Sequence, residues 1–267
     1  MYCCDNSATL SSTDPEDLQR ALDVVTSWTN TWKLKLNRDK SEHLTIRPNQ
    51  QHTFTIQNQA IPKVSKVRDL GIIISDDLKW STYIEKIRSK ANILSHIILR
   101  TFSPTNTQLL VNLYKTYVRP IIEYNTCTWS PYQISDKERV ESVQAMFTRR
   151  LCQRANISYV NYKDRLQKLN LESLESRRTK NDLTLVYKII NNLVDIDYTT
   201  FFSFNSFGGH NLRRHSLQLA GKKPAANLCR GKFFSHRVIN DWNSLPINVV
   251  TSPSLNTFKN RLKLLSF

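Results

Sequence analysis

From Ser81 to Phe102 the segment STYIEKIRSKANILSHIILRTF places Ile84, Ile87, Ala91, Leu94 and Ile98 at steps of three and four. Residues so spaced share one face of an α-helix, and a chain with such a stripe must bury it against something. The pattern recurs, and it commits most of the chain to helices. In SPTNTQLLVNLYKTYV, Ser103 is the expected cap, with Pro104 in the first turn and Pro120 kinking or ending the helix. SDKERVESVQAMFTRRLCQR has Ser135 as expected cap and an apolar face of Val140, Val143, Phe147 and Leu151. LESLESRRTKNDLTLVYKIINNL is a long helix. GKFFSHRVINDWNSLP and SPSLNTFKNRLKLL are two short ones, the second with Leu255, Phe258, Leu262 and Leu265 on one face. Between them, FNSFGGHNLRRHSLQLAGKKPAANLCRG is loop-like, with one possible strand at RRHSLQLA.

The first 75 residues differ. A helix opens at SSTDPEDLQRALDVVTSWTNTW, with Asp14 as cap, Pro15 at the first position, and Leu18, Leu22, Val25 and Trp28 at helical spacing. KLKLNRDKSEHLTIRP then reads as a loop running into a short strand. HTFTIQNQAIPKV reads as a hairpin turning at Gln57 to Gln59, and KVRDLGIIIS as a further strand. The expected class is therefore α+β, mostly α-helical, with a small antiparallel strand region ahead of the helices.

Charge divides the same way. The net charge is +16, but residues 1–80 hold ten Lys/Arg and ten Asp/Glu, so the whole excess lies beyond them. A basic half of this kind favours a polyanion, nucleic acid rather than membrane. Five cysteines without CxxC spacing (Cys3, Cys4, Cys127, Cys152, Cys229) suit a reducing compartment and give no zinc pattern. No histidine is followed two positions on by Asp or Glu, so the His-x-Asp iron site of a repair dioxygenase has no counterpart. Five glycines in 267 residues argue against Gly-rich phosphate loops. There is no signal peptide and no long apolar run, so an intracellular chain, nuclear or cytoplasmic, is expected.

Asp76 and Asp77, in VRDLGIIISDDLKW, raise the question of a polymerase metal pair. Such a pair sits in a turn between two strands, and another strand supplies a third carboxylate. Here the following element is a helix, and no earlier strand offers a partner. Acids at a helix start meet unpaired N–H groups, so a capping role is favoured.

Seven segments occur in one order: WTNTWKLKLNRDKSEHLTI, VRDLGIIISDDLKW, KANILSHIILRTF, LYKTYVRPIIEYNTCTWSPY, ERVESVQAMFTRRL, RLQKLNLESLESRRTKNDL, and FFSHRVINDWNSLP with SLNTFKNRL. Together they resemble the C-terminal part of the reverse transcriptase of non-LTR (LINE-type, jockey- or CR1-like) retrotransposons, over nearly the whole chain. The resemblance implies a palm remnant over 1–76, a helical thumb over 77–155 and a basic C-terminal region over 156–267. Asp69, Leu70 and Gly71 resemble the primer grip, a hairpin that holds the primer end, and Lys40 in LNRDKS resembles a palm motif near the incoming nucleotide. The family's aromatic-Ala-Asp-Asp signature is not found. MYCCDNS is the only candidate remnant, so no catalytic residue and no metal or other cofactor is assigned to this chain, whereas the resemblance implies that the whole enzyme uses two divalent ions, Mg. The expected function is a polymerase fragment, inactive alone, that binds RNA and DNA as template-primer. The alternative is a non-catalytic nucleic-acid-binding protein derived from a retroelement. In the family the palm strands pack on fingers, so residues 1–75 are expected to expose a sheet edge.

The residues expected to meet phosphates are Arg149, Arg150 and Arg154, then Arg177, Arg178 and Lys180, then Arg213, Arg214, Lys222, Lys223, Arg230, Lys232 and Arg237. No acid occurs between Asp197 and Asp241. Tyr114, Tyr117, Tyr124, Trp129 and Tyr132 could stack on bases, but most are read as core, as is Trp242 with Phe234 and Val238.

Overall fold

The computed structural model describes residues 14–34, 36–37, 40–46, 52–204, 217–220, 229–265 and 267, without the side chains of 229 and 230. The protein is α+β and mostly α-helical, in two compact units, 1–83 and 84–267.

The first unit opens with helix α1 (Pro15–Thr31), capped by Asp14, whose carboxylate accepts the Glu16 N–H at 2.9 Å. Leu18 and Leu22 pack with Leu36 against Phe54, Ile56 and Ile61, a small core. Val25 is half-buried, whereas Trp28, expected on the same face, is 55% exposed. The helix ends within a turn of Trp28, past the reach of those three buried residues. All the described strands are short and pair two by two. β1 (His43–Leu44) runs parallel to β4 (Lys63–Val64). β2 (Thr55–Ile56) and β3 (Gln59–Ala60) form the expected hairpin, turning at Gln57 and Asn58 with φ of 52° and 61°. The Gln19 amide of α1 extends this ladder sideways, donating to Thr55 O and accepting from Thr55 N, both at 3.0 Å.

KVRDLGIIIS is not one strand. β5 (Lys66–Asp69) and β6 (Ile72–Ser75) are antiparallel, with Asp69 opposite Ile72. Leu70 (φ 44°) and Gly71 (φ 87°) make the two-residue turn, whose positive φ values match the right-handed twist of the strands. The continuous apolar run concealed the turn, because leucine at positive φ contradicts its own preference.

The second unit carries nearly all of helix α2 (Ser81–Thr101), with Ile84, Ile87, Ala91 and Ile98 buried as the spacing demands. Helix α3 (Thr107–Leu113) starts later than expected. Asn106 is its cap, accepting the Leu109 N–H at 2.9 Å, while Ser103 closes a local turn with Thr105. A turn of π-helix (Tyr114–Val118) leads into α4 (Arg119–Glu123). Pro120 accounts for it: without an N–H, and with its ring crowding the preceding turn, it is accommodated where the helix widens. Helix α5 (Ile134–Arg154) begins one residue before Ser135, and its cap position, Gln133, makes no side-chain bond.

Helices α6 (Tyr162–Lys168) and α7 (Leu174–Ile190) pack on α5. Of the stretches expected as thumb (77–155) and C-terminal region (156–267), all but 77–83 lie within this one unit. β7 (Ser203–Phe204) pairs with β8 (Leu219–Ala220), which lies within the expected strand. The chain closes with α8 (Phe234–Asn243), α9 (Ile247–Val250) and α10 (Leu255–Lys263). Leu183, Val186 and Tyr187 of α7, Trp242 of α8 and Phe258 of α10 form the main core, with Tyr187 and Phe258 stacked at 4.4 Å. Phe234 and Val238 are buried beside Trp242 as expected. No described helix is long and apolar enough to cross a membrane.

Candidate nucleic-acid interface

The positions singled out for phosphate contact fall into three groups. Arg149 and Arg150 are exposed on α5, and neither is in an ion pair among the described residues. Arg150 lines a groove of about 350 Å³ between α2 and α5, together with Asn92, His96, Ile93 and Phe147. Lys232, just ahead of α8, is also exposed and outside any ion pair among the described residues. These three are available to a polyanion.

A second group is held by the fold. Arg154 donates to the carbonyls of Leu99 and of Phe102 (3.2 Å), satisfying the C-terminal end of α2. Arg177 grips Glu123 with two nitrogens, one at 2.9 Å. Lys180 pairs with Glu172 at 2.8 Å and lies over the Phe267 ring. Arg237 forks Asp182 at 2.8 and 2.9 Å and donates to Cys127 O at 2.8 Å, binding α8 to α7 and to the chain after α4. Burial beside Asp182 pushes the Cys127 thiol up to about 12. Arg178 stands alone: it is 4% exposed, burial lowers its pKa, and both terminal nitrogens lack a hydrogen-bond partner.

A third group, Arg213, Arg214, Lys222 and Lys223, lies outside the described residues, as do the Arg230 side chain and MYCCDNS.

The hairpin places Leu70 at its tip, 76% exposed in a left-handed conformation, next to Gly71. An exposed apolar residue held at positive φ is the kind of strain that function retains. Lys40 is exposed, its backbone N–H donating to Asn37 O at 3.3 Å.

Asp77 does not cap α2. Its carboxylate accepts from Ser75 Oγ (2.7 Å) and from Lys79 N (3.0 Å), an Asx turn closed by the Lys79 ammonium at 3.1 Å. The Ser75 hydroxyl, then the Lys79 N–H, hold its pKa down to about 2. No group of three His, Cys, Asp or Glu fit to hold a metal occurs among the described residues.

Of the aromatics, Tyr114 and Trp129 are buried, while Tyr117 and Tyr124 are exposed. Tyr114 belongs to a buried polar network that sequence reasoning missed. Its hydroxyl donates to Gln144 Oε1 (3.2 Å). Gln144 Nε2 donates to Glu172 O (2.8 Å) and to the Tyr162 hydroxyl (3.1 Å). Tyr162 donates in turn to Glu141 at 2.6 Å. Glu141 also accepts the first N–H groups of α7, from Leu174 at 3.0 Å and Glu175 at 3.3 Å. The partners lie 18 to 34 residues apart, with no local signal to join them.

Among curated proteins the chain is similar to uncharacterized protein B0403.1 of Caenorhabditis elegans, 30% identical over 133 residues, which is 49% of this chain and 67% of that protein. No protein-family model and no solved structure matches.

Proposed function

We propose, for a chain that belongs to the same family as that nematode protein, that it is the C-terminal part of a LINE-type reverse transcriptase, grips template-primer without performing polymerisation itself, and works inside the cell, in nucleus or cytoplasm. The observation that carries this reading is the β5–β6 hairpin. The segment resembling a primer grip is a tight turn with exposed Leu70 at its tip and Gly71 beside it, where a backbone can approach a nucleic-acid strand closely. Arg149 and Arg150 supply cations for phosphates without reading sequence.

The test is fluorescence anisotropy of a labelled DNA primer on an RNA template, titrated with the full chain across salt. Affinity should fall steeply with salt, and R149E/R150E should lower the slope of log K against log salt by about two. Leu70→Asp should weaken binding to primer-template more than to blunt duplex. No binding at low salt would sink the proposal. Metal-dependent extension of the primer would overturn the inactive assignment.

A further inference from the structure

A cavity of about 430 Å³ opens among α5, α7 and the start of α8, inside the second unit. Four cations border it, Lys137, Arg178, Lys232 and Arg237, against three acids, Glu175, Asp182 and Asp241. The ion pairs decide which charges remain, and of the three acids they leave Asp241, whose carboxyl burial and then the Asp182 charge push up towards its neutral form. Glu175 is taken by Lys137 at 2.7 Å, and Asp182 by the fork of Arg237. The other carboxylates whose charge reaches Arg178 are occupied as well, Glu141 by the N–H groups of α7 and Glu123 by Arg177.

Arg178 is thus a buried guanidinium with both terminal nitrogens unpartnered, and Lys232 stands exposed beside the same cavity without an ion pair among the described residues. A buried charge with unused donors is costly unless an acceptor meets it. The planar fork of arginine fits an oxyanion with two oxygens on one face, which phosphate presents. Thr179, adjacent in the chain, lines the cavity and has a hydroxyl to offer.

We propose that this cavity is a phosphate site, with Arg178 as its fork, Lys232 as the cation at its exposed side and Thr179 as a further donor. The site does not depend on the nucleic-acid reading. Its phosphate could be free or carried on a nucleic-acid chain, and the chemistry of recognition is the same for both.

The experiment is isothermal titration of the full chain with inorganic phosphate in low-salt chloride buffer. A single saturable site is expected, weakened at least tenfold in Arg178→Lys, which keeps charge and loses the fork. Lys232→Glu and Thr179→Val, both milder changes, should weaken it at least threefold. Competition by a 5′-phosphorylated tetranucleotide but not by its 5′-hydroxyl form would assign a terminal phosphate. Competition by both would assign internal phosphates, and by neither a free one. The proposal is overturned if inorganic phosphate shows no saturable binding, or if folded Arg178→Lys binds as the wild type does. If Arg178→Lys does not fold, unchanged binding by Lys232→Glu and Thr179→Val overturns it. Phosphate binding without template-primer binding would keep this site and defeat the polymerase reading; template-primer binding without phosphate binding would do the reverse.

Discussion

The two units are stabilised by different means. Unit 84–267 has a core drawn from α7, α8 and α10, with Trp242, Phe258 and Leu183 fully enclosed, and it ties its helix ends to one another with Glu141, Arg154 and Arg237. Among the described residues, unit 1–83 has a small cluster of Phe54, Ile56 and Ile61 with their leucine neighbours, with Ile72 and Tyr83 also buried, and its strands are two to four residues long. Every described sheet has two strands, and side-chain amides rather than further strands meet the outer edges of β2, through Gln19 at Thr55, and of β8, through Asn243 at Leu219. Side-chain pairing at long range makes a rigid body, whereas turn chemistry makes a hairpin whose tip stays accessible.

The largest test of this contrast is Trp242→Ala. Emptying the centre of the second core should cost about 3–5 kcal/mol in urea unfolding, whereas Phe54→Ala should give a smaller loss at the amides of 1–83 read by hydrogen exchange. If the smaller core proves as costly to empty, the contrast is wrong. Asp182→Ala comes next. It strands Arg237 in a half-buried position, and removing one member of a buried pair costs about 3–5 kcal/mol, reduced here because the Arg237 side chain is 18% exposed. Glu141→Gln keeps the shape but weakens the capping of α7, with an expected loss of about 1 kcal/mol. In the first unit, Leu70→Gly should stabilise the hairpin by up to about 1 kcal/mol, because glycine occupies φ near 44° without strain. A destabilised Leu70→Gly would mean that the leucine packs where the hairpin is read as open.

The smallest effect is acid sensitivity at Asp77. Its folded pKa, about 2, lies below the ordinary carboxylate value, so the turn's contribution is present above about pH 4 and is lost as pH falls towards 2. An NMR carboxyl titration showing an ordinary midpoint would remove the Asx turn from the account.

Legibility in the sequence followed the range of the interaction. The buried stripes of α2, α8 and α10 and the Asp14 cap were readable because their partners lie within a turn or two. The caps at Ser103 and Ser135 were misplaced because a neighbouring residue, Asn106, made the better bond in one case, and in the other the helix starts with no side-chain cap at all. Clustered arginines read as an open basic face. The acceptors of Arg177 and Arg237 lie 54 and 55 residues away, and nothing in the local composition announces them. Arg149 and Arg150 are exposed, as a position on a basic face requires.

The reach of Arg237 also sets an order of events during synthesis. Its guanidinium holds the carbonyls of Thr126 and Cys127, residues made 111 and 110 positions earlier. A chain leaving the ribosome has α2 to α5 in hand long before that arginine exists, so the turn after α4 waits, half-assembled, until α8 emerges. Over that interval the carbonyls of Thr126 and Cys127 lack the donor that α8 brings to them, and the loop they belong to is the part of the early helical region open to a chaperone or a protease.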